Sequence, residues 1–139
     1  MVVKSEVPNP VAVLQARRNV VAREALIREF GALTSLEVAE QDQNKAALAH
    51  QWKEEGRIFA VHYLGATCFP AFQFDAAGHP LPVIAGIIEA LGHRGSWQLA
   101  LWFIAETGWL GGRRPVDLLE CEPETVLEAA RNEAAPLLY

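Results

Sequence analysis

The sequence predicts a mainly α-helical fold with one β-hairpin. An arm over residues 1–10 precedes a winged-helix-like module over residues 11–79, and a helical bundle fills residues 80–139. Three observations carry this. Apolar residues recur at helical spacing through most of the chain. Two stretches on either side of LGAT alternate aromatic and β-branched residues as strands do. Between the halves lies DAAGHP, residues 75–80, dense in turn formers and followed by a change of period.

Residues 1–10 hold Pro8 and Pro10 and little periodicity, which suits an arm. Over residues 11–30, Val13, Val20, Leu26, Ile27 and Phe30 stand at helical spacing among Arg17, Arg18, Arg23 and Arg28, and Gly31 closes the helix. TSLEVAEQ, residues 34–41, opens with Thr34 three residues before Glu37, the capping-box spacing in which each residue satisfies an amide of the first turn. DQN, residues 42–44, is turn chemistry. NKAALAHQWKEEG then predicts a second short helix with Leu48 and Trp52 inward, ending at Gly56. RIFAVHY and CFPAFQF make the hairpin, with Pro70 expected on an edge. Beyond residue 80 come helices over 82–91 and 96–107, the latter with Ser96 as N-cap, then a glycine-rich corner and short helices around PVDLLE and PETVLEAARNEAA.

A chain of 139 residues, 51% of them hydrophobic, is enough for a real core. No apolar run reaches the roughly 18 residues of a membrane span, and MVVKSEVPNP lacks the pattern of a signal peptide, so a cytoplasmic protein is expected. The net charge of -5 opposes indiscriminate nucleic-acid binding, but it is unevenly spread. Up to His79 there are 8 Lys and Arg against 9 Asp and Glu; from Pro80 onward, 4 against 8. The first half can still turn a basic face to DNA, whereas the second suits a protein partner.

Signs of enzymatic chemistry are thin. His50, His62, His79 and His93 lack metal-ligand spacing, and no serine or cysteine sits in a nucleophile context. Cys68 and Cys121 show no CxxC pattern and read as ordinary small apolar residues. The glycines at 108, 111 and 112 do not spell a phosphate loop. No catalytic residue, metal or cofactor is expected. Asn44, Lys45 and Gln51 on the second short helix are the candidate DNA contacts, with the hairpin tip near the phosphate backbone; a merely solvated face stands beside that reading. The helix SWQLALWFIAET is apolar around most of its circumference. It is either central to the core or an interface in which Trp97 and Trp102 meet a second copy, making a homodimer.

WLGGRRPVDLL and the acidic helix after it carry a more specific signal. On Trp109, Leu110, Gly112, Arg114, Pro115, Leu118 and Leu119, residues 80–139 resemble the C-terminal toxin-binding domain of the Xre/MbcA/ParS antitoxin family. The resemblance implies that the glycines and Pro115 form a structural corner and that Arg113 and Arg114 cap or pair nearby. It also implies a non-enzymatic regulator that neutralises a toxin encoded beside it, often of the NAD-degrading RES-domain type. Trp109 and Arg114 then join Trp97 and Trp102 as partner-binding residues. The acidic helices and the tail APLLY, ending at Tyr139, would cover the toxin's cleft, unless their charge is only solvated surface. LTSLEVAEQ and ALAHQWKEEGRIFAV look closer to a MerR or excisionase winged helix-turn-helix than to the family's usual all-helical N-terminal domain. Two rivals remain: a phage or mobile-element regulator with no toxin, and an interaction adaptor that does not bind DNA.

Overall fold

A computed structural model describes residues 10–35, 37 and 43–135. Helix α1, Pro10–Phe30, ends where the Gly31 amide donates to the Ile27 carbonyl at 2.9 Å and Gly31 turns to φ 75°. Strand β1, Ala32–Thr34, follows at once, and Thr34 Oγ1 accepts from the Glu37 amide at 3.0 Å, one half of the capping box. The rest of the helix expected over 34–41, and the start of the turn after it, lie outside the described residues, as does most of the arm. Helix α2, Gln43–Glu54, closes at Gly56.

Strands β2, Val61–Tyr63, and β3, Ala66–Pro70, form the expected hairpin about a two-residue turn. Leu64 (φ 50°) and Gly65 (φ 78°) are both left-handed there, the backbone that matches the twist of the flanking strands. The hairpin is not alone. β1 pairs antiparallel with the other side of β3, giving the order β1-β3-β2. Pro70 is therefore at the end of the central strand, not on an edge. It opposes Ala32, and the missing N–H is harmless because the next bond of the ladder runs from the Ala71 amide to the Gly31 carbonyl at 3.0 Å. Residues 71–73 leave the strand as a 3₁₀ turn, so the expected second half of that strand is absent.

The sheet is covered on both faces, and alternation along β3 divides them. Cys68 joins the main core; Phe69 joins a smaller cluster with Ala49 of α2, Ile58 and Ala60, against which Trp52 and Phe74 pack. The main core takes Leu26 from α1, Phe59 and Val61 from the sheet region, and then side chains from every longer helix after residue 80. One continuous cluster of buried residues thus draws on both sides of DAAGHP.

Helix α3, Pro82–Leu91, begins with Pro82 in its first turn, where a missing N–H is harmless. Helix α4, Ser96–Ile104, is capped by Gly95 rather than Ser96. Gly95 leaves the preceding 3₁₀ turn at φ 105°, which places Ser96 already inside the helix with no capping bond from its hydroxyl. The helix stops at Ile104, short of the expected residue 107, because Ala105 is extended. Helices α5, Pro115–Leu118, and α6, Pro123–Ala134, complete the chain as described. α3 packs most closely on α6: a Cβ on Gly86 would lie 2.7 Å from Leu127 Cδ1. Of the two free thiols Cys68 is buried as expected, while Cys121 is exposed. No helix among the described residues is long and apolar enough to cross a membrane.

Candidate functional site

Two surfaces collect the residues singled out by the sequence. The first is α2. Asn44 and Gln51, seven residues apart, are exposed on one side of the helix together with Ala47. Lys45, one residue on, is turned about 100° away. It stands instead at the rim of an apolar groove of roughly 320 Å³ with Leu48, Trp52, Phe69 and Phe74. The three residues therefore make an outward pair and a flanking cation, not a single face. Exposed Glu54 and Glu55 follow at the far end, and the Arg57 guanidinium lies 5.8 Å from the centre of the Trp52 ring. The hairpin tip carries no cation: Leu64, 88% exposed, and Gly65 form it.

The second surface is the corner of residues 107–114, which closes on itself. Thr107 Oγ1 accepts from the Trp109 amide at 3.3 Å, the Gly112 amide donates to the Thr107 carbonyl at 2.9 Å, and the Thr107 amide donates to the Arg113 carbonyl at 3.2 Å. Gly111 (φ 65°) and Gly112 (φ 85°) supply the left-handed turn that this closure requires. Leu110 points into the core, and Trp109 is left 55% exposed. Arg113 fastens the loop from outside, donating to the Leu110 carbonyl at 3.0 Å and to Glu122 Oε2 at 3.0 Å.

Arg114 is engaged within the chain. Its guanidinium makes a fork to both Glu29 oxygens, at 3.0 and 2.8 Å, and a second to Asp117 at 3.0 and 3.1 Å, over the ring of Phe30. Donation from Arg114 holds the Glu29 carboxyl below its ordinary value, and the two carboxylates raise the arginine further. The sign follows for stability. With the folded value depressed, the Glu29 contribution is present above the ordinary glutamate range and is lost as pH falls through the lowered value. Glu29→Gln is accordingly expected to lower the urea midpoint at pH 7 and to leave it nearly unchanged near pH 2, checked by fluorescence-monitored unfolding at both.

Trp97 is likewise held inside the chain. Its Nε1 donates to the His62 carbonyl at 2.8 Å, and its ring packs against Tyr63 and under the Arg23 guanidinium, tying α4 to the hairpin and α1. Trp102 differs. Its Nε1 is buried without a hydrogen-bond partner among the described residues, and its ring walls two adjoining recesses. One, roughly 540 Å³, runs past Glu106 and Thr107 to the exposed Trp109; the other, roughly 360 Å³, reaches Arg94 and Gln98. Glu133 borders both and is held by Arg94, which donates to its carbonyl at 2.8 Å. Tyr139 lies outside the described residues.

Trp102 and Trp109 are thus brought together, while Trp97 and Arg114 serve the fold. Glu106 and Glu133 join the recess from 27 residues apart in sequence, and no local pattern announces them. Comparison of the chain with protein-family models, with curated proteins and with solved structures finds no match.

Proposed function

We propose that the chain is an antitoxin-like transcriptional regulator, binding promoter DNA through its N-terminal half and a cognate toxin through its C-terminal half. The observation that carries the reading is the order α1, β1, a capped start at Thr34, α2, β2, β3, with β3 central in the sheet. That is the order of winged-helix DNA-binding modules, in which the helix corresponding to α2 enters the major groove. On it, Asn44 and Gln51 are the residue types that read adenine edges, and Lys45 beside them meets phosphate. For the toxin, the Trp102–Trp109 recess offers aromatic anchors rimmed by Glu106 and Glu133. An acidic rim complements the electropositive cleft of an enzyme that binds an anionic dinucleotide, such as a RES-domain toxin.

The test is binding to the DNA upstream of the chain's own reading frame. Gln51→Ala is expected to weaken specific binding by about tenfold, and Lys45→Ala to flatten the salt dependence by about one unit. No binding by the unmutated protein at low salt overturns the DNA half. For the other half, Trp109→Ala should abolish protection when co-expressed with the neighbouring toxin, while DNA binding survives. The adaptor reading is favoured by the cation-free hairpin tip and by Glu54 and Glu55 at the end of α2, both of which predict failure of the first assay.

A further inference from the structure

The first half of α1 stands away from the body of the protein. From Arg23 onward the helix is fastened: Arg23 over Trp97, Leu26 in the core, Glu29 on Arg114. Before that, residues 16–21 are all exposed, and Leu14, Val20 and Val21 are 53, 53 and 65% exposed. A helical stretch with so little of its surface packed is marginal in water, which leaves this face open to a partner. Leu14, Arg18, Val21 and Ala25 are spaced four, three and four apart, the alternation of a coiled-coil seam, and they lie about 80 to 140° around the helix from Leu26.

We propose that this stripe is the seam through which two copies of the chain pair their α1 helices, antiparallel. The charges select both the occupant and the direction. Parallel pairing in register would set Arg18 against Arg18 in the seam itself. Antiparallel pairing, with Leu14 opposite the partner's Ala25 and Arg18 opposite the partner's Val21, sets Arg17 beside the partner's Glu24 and Glu24 beside the partner's Arg17. The two-fold axis then crosses the pair between residues 19 and 20. The Arg18 stem lies along the seam with its head in water. Among the described residues Arg17, Arg18 and Glu24 have no ion pair within their own chain, which leaves these charges for a partner. The pairing surface is distinct from α2 and from the Trp102 recess, and does not rest on the proposed function.

Light scattering on the full chain at tens of micromolar tests it. The unmutated protein should be a dimer, and Leu14→Glu, at an exposed position, should give a monomer that still unfolds cooperatively, with a loss of helical circular dichroism no greater than the first half of α1 accounts for. Arg17→Glu alone sets glutamate against the partner's Glu24 and should weaken the dimer about tenfold; Arg17→Glu with Glu24→Arg should restore it. The two positions lie about 10 Å apart along one helix, so restoration reports contact between copies. A monomeric unmutated protein, a dimer indifferent to Leu14→Glu, or failure of the double exchange to restore it overturns the proposal.

Discussion

Gln73→Leu is expected to destabilise the chain by about 3 kcal/mol or more, although it replaces a polar residue by an apolar one of similar size in the interior. Gln73 is fully buried. Its Oε1 accepts from the Phe59 amide at 2.7 Å, and its Nε2 donates to the carbonyls of Phe59 at 3.0 Å and Pro70 at 3.1 Å. The side chain thereby acts as a strand partner for Phe59, whose segment enters β2 with no backbone ladder of its own. Leucine fills the space and leaves three backbone groups buried without partners. Each orphaned group costs about 1–3 kcal/mol, partly recovered if water enters. Thermal unfolding should show a fall of roughly 10 °C. A loss below about 1 kcal/mol would mean that the backbone finds other partners easily.

Gln73 also marks where the sequence stops being legible. In CFPAFQF it occupies an alternating position that a strand would turn to solvent, so nothing local signals burial; the 3₁₀ turn over 71–73 redirects it. β1 was hidden for a related reason. Three residues between a helix-ending glycine and a capping threonine are too few to show a period, and the strand exists only because β3 offers an open side. Without β1, Pro70 looks like an edge residue. Helices with a full apolar face behave otherwise: the bounds of α3 follow from Pro82 and the run to Leu91, and α2 from its ending at Gly56. The corner was legible as a corner because Gly111 and Gly112 have few other uses before a proline. What closes it onto α1, the Arg114–Glu29 fork, spans 85 residues and is written in no local pattern. The same holds for the candidate surfaces. Residue types suggested Asn44, Lys45 and Gln51 together, but helical rotation separates the lysine from the other two.

The second large effect concerns how the two halves are joined. Phe103→Ala should destabilise the chain by about 3–5 kcal/mol, the usual range for emptying a fully buried aromatic site. The Phe103 ring centre lies 4.9 Å from that of Phe72, 5.8 Å from Phe59 in a stacked pair, and 5.6 Å from Trp102. Two of these three neighbours precede DAAGHP, so truncation in α4 removes contacts from the sheet as directly as from the helices. Urea unfolding should remain a single transition with a lowered midpoint. Hydrogen exchange should show the amides of Val61 and Cys68 losing protection together with those of Val126 and Ala130. Strand amides that keep their protection while the helical ones lose it would show that the halves unfold separately, each with its own core. If they unfold as one, a partner that binds the Trp102 recess in the native state stabilises the sheet and α2 by the same free energy.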